Sequence, residues 1–173
     1  MAKFTIALLL VGVILISGCA GTGKVTNQPS QEGWLDIPLK DINSGKSFKL
    51  SDFAGKSVLL ESFGVWCPVC LEQQKQIAEA KKKNPDVVFV SIDTDPNEDE
   101  AKVRQHAKTY GFDWRFAVSP TEMTNQLKEE FGLKVVYAPG APMILVCPNQ
   151  KTRMLKSGGK LADALLEEVK KGC

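Results

Sequence analysis

Two thiols separated by two residues, Cys67-Pro68-Val69-Cys70, are the side chains in this sequence best suited to chemistry. A thiol attacks a disulfide only as the thiolate, so an exchange catalyst has to favour the anion of one cysteine over its ordinary pKa of ~8.5. A helix N-terminus does this, with its unpaired backbone N–H groups and the positive end of its dipole. Cys67 at the start of a helix would attack, and Cys70, one turn on, would resolve the mixed disulfide. Only one of the two thiols then needs exposure. Metal chelation is the competing chemistry, but a zinc cluster needs more ligands than one C-x-x-C and a single, distant His106 supply. No metal and no other cofactor is expected. The acidic stretch 93–100 lacks the glycine and terminal glutamate of a calcium loop and reads as a solvated turn.

These thiols have to be carried by a strand and a helix. Residues 58–63, Val-Leu-Leu-Glu-Ser-Phe, read as a buried strand, and 67–83 as a helix with three lysines at its negative end and Asn84-Pro85 as its stop. Upstream, alternation through Leu35, Ile37 and Leu39, a turn at Asn43-Ser44-Gly45, then Phe48 and Leu50 suggest a hairpin. Downstream, 87–92 is a second apolar, β-branched strand, followed by a helix capped by Asn97, with Glu100 three residues on and Gly111 as its end. A strand at 114–118 leads to a further helix with Ser119 as cap, Pro120 in first helical position and Gly132 at its close. Two strands, 143–147 and 152–157, and a helix over 159–171 complete the chain. Strands alternating with helices, then a closing hairpin, imply an α/β architecture around a mixed central sheet flanked by helices. His106 falls on the helix after Asn97 and reads as a solvated helix-face residue.

The chain has 173 residues and a formal net charge of +2, with acids and bases interleaved, so neither nucleic acid nor another charged polymer is an expected partner. Residues 1–18 have the form of an export signal, a Lys3 charge before an almost wholly apolar stretch from Ile6 to Ile16. Residues 4–16 would make roughly 20 Å of helix, short of the ~30 Å hydrocarbon core. Ile16-Ser17-Gly18-Cys19 resembles a lipoprotein signal, with Cys19 the lipidated residue. Without residues 1–18 the chain carries 21 bases against 20 acids. Residues 19–32 read as a flexible tether and 33–173 as one folded domain.

From about Leu35 to Lys171 the sequence resembles the thioredoxin superfamily, and within it the membrane-anchored TlpA/ResA type. The resemblance is carried by Lys49-Leu50-Ser51-Asp52-Phe53-Ala54-Gly55-Lys56, by the unbroken run from Val58 through Trp66-Cys67-Pro68-Val69-Cys70, and by Gly140-Ala141-Pro142 before a strand. It implies a thioredoxin-like fold with an added N-terminal hairpin. It implies a catalytic dithiol at Cys67 and Cys70, a shielding role for Trp66, a cis-proline at Pro142 lying against the disulfide, and an Ala141 backbone that pairs with a substrate segment. It also implies a monomeric, extracytoplasmic enzyme anchored to the cell membrane, acting on protein thiols and disulfides and recharged by a membrane electron donor. Reduction of disulfides, in some relatives during cytochrome c maturation, is the family's usual direction. Val69 departs from the residues usual between these cysteines.

Glu61 stands six residues before Cys67, where thioredoxins carry a buried acid thought to move protons for the second cysteine. Two readings of it stay open. Inside an apolar strand its pKa should rise and suit acid–base work near neutrality, whereas on a sheet edge it would be solvated. In a thioredoxin-like order, strand 143–147 runs away from the dithiol and the last helix does the same, so Cys147 and Cys173 would meet at the far end as a structural disulfide that leaves Cys67 and Cys70 free to cycle. The competing functions are an oxidant that introduces disulfides and a non-enzymatic module that binds metal or partners through the dithiol.

Overall fold

The computed structural model describes residues 33–173 together with Met1. The signal beyond Met1, the lipidation site at Cys19 and the whole tether 19–32 therefore lie outside the described residues. Eleven elements follow in order: β1 Leu39–Lys40, β2 Ser47–Phe48, β3 Val58–Phe63, α1 Pro68–Lys83, β4 Val88–Asp93, α2 Glu100–Tyr110, β5 Arg115–Val118, α3 Thr121–Phe131, β6 Met143–Val146, β7 Thr152–Met154 and α4 Ala162–Lys171. Five strands form one mixed sheet in the order β5-β4-β3-β6-β7. β3, β4 and β5 run parallel, while β6 is antiparallel to β3 and β7 to β6. This is the thioredoxin-like α/β arrangement that the resemblance implied.

Strand β3 lies in the middle of the sheet, and all six of its side chains are buried. Side chains alternate along a strand, so Leu59, Glu61 and Phe63 share one face and Val58, Leu60 and Ser62 the other. Leu59 and Phe63 belong to a core with Ile77 and Ala80 of α1, Val103 and Ala107 of α2, and Leu165 of α4. Val58 and Leu60 belong to a second core with Met123 and Leu127 of α3 and with Trp34, Leu39 and Phe48 of the N-terminal segment. The sheet is thus covered on both faces, which explains why its central strands read as continuous apolar runs rather than as alternation.

Local signals were displaced where two caps competed. Asn97 was expected to cap α2, but its backbone N–H and its side chain both donate to Asp95 Oδ1 in a turn. Asp99 caps instead, accepting Lys102 N–H at 2.9 Å. Likewise α3 begins at Thr121, with Pro120 rather than Ser119 in the cap position. The alternation from Trp34 begins with a 3-10 turn, Trp34–Asp36, and the hairpin strands are only two residues each. The hairpin loop is tied to the sheet by Asn43 Nδ2, which donates to Trp114 O at 2.7 Å. Gly111 does end α2, in the left-handed conformation at φ 68° that a glycine takes without penalty.

Candidate functional site

Helix α1 starts at Pro68, a residue suited to the first helical position because it has no N–H to leave unpaired. Cys67 is therefore the N-cap, and its sulfur accepts the Cys70 N–H at 3.3 Å. That amide is one of the orphan donors of the first turn, and the Cys67 sulfur satisfies it. Cys70 Sγ donates to Ala138 O at 3.2 Å, and both cysteines are free thiols. Burial, reinforced by the Cys67 sulfur and the Glu61 charge, pushes the Cys70 thiol well above its ordinary range. The two thiols are thus made unequal by position alone.

The expected exposure of Cys67 is not met, since it is only 1% exposed. The N-cap position turns its sulfur inward onto the first helical turn and into the core shared with Cys70 and Ala138. The accessible surface beside it belongs to Trp66, which is 57% exposed, and to Val69. Trp66 Nε1 donates to Asp95 Oδ2 at 2.6 Å, which helps to hold the Asp95 carboxyl below the usual carboxylate range, after the larger effect of the Asn97 N–H. Gly64 makes room for the indole, because a Cβ there would lie 2.9 Å from Trp66 Nε1. A hollow of about 530 Å³ opens next to this indole, with Gly64, Asp95, Ser119, Lys128 and Ala138 among its walls.

Ala141 and Pro142 follow Ala138, whose carbonyl receives the Cys70 thiol, and both are buried. The peptide between them is trans, as are all peptide bonds among the described residues, so the cis-proline implied by the resemblance is corrected. The chain reverses at Ala141 itself, which is left-handed at φ 42° and ψ 58° and donates its N–H to Ala138 O at 2.9 Å. With the turn made there, the trans isomer, intrinsically favoured by roughly 0.5–1 kcal/mol before proline, serves the geometry. Pro142 O accepts Ser62 N–H at 3.1 Å and so locks the start of β6 to β3.

Glu61 has no solvated edge to point to. It is 0% exposed on the central strand, on the face covered by α1, and is paired in register with Ser91 of β4. Its Oε2 accepts the Ser91 hydroxyl at 2.7 Å, while Oε1 has no partner in ordinary hydrogen-bond geometry. Burial raises its pKa to about 8, against the opposing hydrogen bonds of Ser91 and, more weakly, of the Gln74 carboxamide. Asp93, at the end of β4, is a second buried acid. Its Oδ1 accepts Asp95 N–H at 2.9 Å, and burial together with the nearby Glu98 and Asp95 charges lifts its pKa to about 8. Glu98 Oε2 in turn accepts Val65 N–H at 2.6 Å, two residues before Cys67.

Three site residues escaped the sequence reading. His106 was expected on a solvated face, but it is 6% exposed and bonded through Nε2 to Gln74 Oε1 at 2.6 Å. Val103, His106 and Ala107 form the inner stripe of α2, and the i, i+3, i+4 spacing was the available signal. The imidazole packs against Phe63, Phe112 and Phe116, with ring centroids 5.8, 5.9 and 6.4 Å away. Gln73 and Gln74 are likewise buried, although they sit at i+3 and i+4 from Cys70, where the same periodicity marks them as inward. Cys147 and Cys173 are joined in a disulfide at the end of β6 remote from the dithiol, with Cα atoms 6.1 Å apart and a sequence separation of 26. Among the described residues no three His, Cys, Asp or Glu side chains converge to hold a metal ion.

A dithiol at a strand–helix junction, with one sulfur on a helix N-terminus and a buried acid behind the other, has the parts for two-electron thiol–disulfide exchange. Known proteins agree. Thiol-disulfide oxidoreductase ResA of Bacillus cereus is 28% identical over 127 residues, covering 69% of this chain and 71% of that protein. The structure of the exposed lipoprotein thioredoxin of Streptococcus pneumoniae superposes with a TM-score of 0.61 at 25% identity, over 78% of this chain and 98% of that one. A thioredoxin-family thiol:disulfide interchange protein of Chlorobium tepidum, 18% identical over 79% of this chain and 92% of its own, shares the fold with a TM-score of 0.67. Residues 28–147 match the Redoxin family, so the chain belongs to that family and is a thiol-disulfide oxidoreductase of the TlpA/ResA type within the thioredoxin superfamily.

Proposed function

We propose that this enzyme works on the outer side of a membrane, anchored by lipid at Cys19, and reduces disulfides of protein substrates through Cys67 and Cys70. The observation that carries the reading is the inequality of the two thiols, Cys67 capping α1 and Cys70 buried on Ala138 O with Glu61 behind it. Cys67 attacks the substrate disulfide. Cys70 then loses its proton to Glu61 and displaces the substrate sulfur, leaving a Cys67–Cys70 disulfide for a membrane donor to reduce. The substrate segment approaches Cys67 past the exposed Trp66 and pairs with the backbone at Ala141, beside Pro142. An extracytoplasmic site is supported by the apolar N-terminal segment ending in Ser17-Gly18-Cys19, by the Cys147–Cys173 bridge, which suits an oxidising compartment, and by the lipoprotein character of the pneumococcal relative. No helix among the described residues is long and apolar enough to cross a membrane. Haem-binding cysteines awaiting cytochrome c assembly are one substrate class that fits a reductant in this place.

Two measurements test this. Cys70→Ser in the full chain stalls the cycle at the mixed disulfide, and thiol proteins are expected to be captured on Cys67, whereas Cys67→Ser captures none. Failure of both variants to capture any protein overturns the enzyme reading in favour of a binding module. A reduction potential near −270 mV marks the reductant proposed, and one near −120 mV marks an oxidant.

A further inference from the structure

Helix α1 buries two consecutive glutamines beneath the dithiol, and only one of them has an architectural task. Gln73 Oε1 accepts Lys160 N–H at 2.6 Å and Gln73 Nε2 donates to Lys160 O at 3.2 Å, which ties α1 to the segment leading into α4. Gln74 makes no such tie. It lies one turn beyond Cys70 and its Oε1 is 2.6 Å from His106 Nε2. A carboxamide oxygen only accepts, so the imidazole carries its proton on Nε2. Burial lowers the His106 pKa, which keeps the ring neutral at that tautomer. With its oxygen so engaged, Gln74 has its NH2 left over. Gln74 Nε2 and Glu61 Oε1 are a complementary donor and acceptor, both buried and both without another partner. On the far side of the carboxylate, Ser91 Oγ donates to Glu61 Oε2 at 2.7 Å and itself accepts Trp114 Nε1–H at 2.9 Å. Side chains from α2, α1, β3 and β4, and from the residue just before β5, thus form one buried line: His106, Gln74, Glu61, Ser91, Trp114.

Apolar side chains would fill this volume without leaving polar atoms orphaned, so packing does not account for an amide and an imidazole here. We propose that Gln74 and His106 are positioning residues of the exchange reaction: His106 Nε2–H holds the Gln74 carboxamide with its NH2 toward Glu61, and that second donor supports the ionised carboxylate that takes the Cys70 proton. This rests on the role assigned to Glu61 above. In the step concerned the Cys70 proton passes to Glu61, the Cys67–Cys70 bond forms, and the bond from Cys67 to the substrate sulfur breaks, releasing the substrate as a thiolate. The titratable groups around the line are Cys67 and Cys70 at the head of α1, Glu98, whose charge acts on His106, and Tyr110, whose ring lies 5.1 Å from the imidazole. From β6 only Met143 stands opposite Glu61.

The test reads the pH dependence of mixed-disulfide resolution in the intact protein. Gln74→Met keeps the volume and removes the donor, so the ionised Glu61 loses support and the limb of the profile due to Glu61 moves up by about one pH unit, roughly a tenfold loss of rate on that limb. His106→Leu does the same, while His106→Gln, which can still donate to Gln74 Oε1, restores the wild-type profile. NMR of the unmodified protein gives a reading that needs no variant: the His106 ring shifts follow the ionisation of Glu61, and Glu61→Gln abolishes that inflection. If Glu61→Gln slows exchange but Gln74→Met leaves the profile in place and His106 shows no inflection, this inference is overturned and the Glu61 reading stands. If Glu61→Gln changes nothing, both fall.

Discussion

Glu61 and Ser91 face each other across the parallel pair β3–β4, the serine hydroxyl donating to the carboxylate at 2.7 Å in an environment with no solvent access to either residue. Neither this hydrogen bond nor the weaker one from the Gln74 carboxamide offsets the desolvation of the carboxylate, which is why the Glu61 pKa stands at about 8 and the group changes charge in the range where thiols do.

Exchange activity should therefore rise with pH through an inflection near 8 that belongs to Glu61, since only the ionised acid can take the Cys70 proton. In Glu61→Gln that inflection disappears, and resolution of the mixed disulfide slows by about a hundredfold, the lower end of what a positioned base contributes. Stopped-flow measurement of substrate release between pH 6 and 9 checks both. An unchanged profile in the variant would remove Glu61 from the mechanism.

The same shift governs stability. A carboxyl of pKa 4.5 when unfolded and about 8 when folded keeps its proton in the native state while the unfolded chain loses it, so stability is fully present below pH ~4.5 and falls until pH ~8. At ~1.4 kcal/mol per unit the loss is a few kcal/mol, and Asp93, raised similarly, adds to it. Urea unfolding at pH 5 and pH 8 should show the wild type weaker at the higher pH, with the difference reduced in Glu61→Gln and further reduced when Asp93→Asn is added.

The Cys147–Cys173 bridge closes a 26-residue separation that takes in β7 and α4. By chain entropy such a loop stabilises by roughly 3–4 kcal/mol. Cys173→Ser should lose about that much in equilibrium unfolding while the reactivity of Cys67 is preserved, because the bridge and the dithiol sit at opposite ends of the sheet. A peptide map of the wild type under non-reducing conditions should show the two cysteines joined.

Trp66 is exposed enough that truncation should cost stability little, under ~1 kcal/mol, and fall mainly on substrate recognition. Trp66→Ala is expected to raise KM for protein disulfides severalfold with a smaller change in kcat. Gly64→Ala should mimic it, since the added Cβ collides with the indole and displaces it from Asp95. Tryptophan fluorescence of Gly64→Ala would report the displacement, and an unaltered spectrum would argue against it.

Local features of this protein were legible residue by residue. The stop of α1 at Asn84, the end of α2 at Gly111 and the pairing of two thiols in one turn depend on neighbours within a few positions, where backbone sterics and unpaired N–H groups decide the outcome, although α1 starts at Pro68, one residue later than expected, with Cys67 as its cap. Even at that range Asp99 displaced Asn97 as a cap, because the loop gave Asn97 a closer acceptor in Asp95. Longer-range matters were settled by tertiary structure. Glu61 is a buried acid rather than a solvated one because β3 lies between β4 and β6, and a strand's own residues do not state its place in the sheet. His106 and Gln74 look polar and solvent-seeking one at a time, and only the packing of α1 against α2 over Phe63 satisfies one with the other. The dithiol chemistry was written in the motif itself; which groups stand behind Cys70 was decided where four elements meet, since a buried polar group is tolerated only when another segment brings its partner.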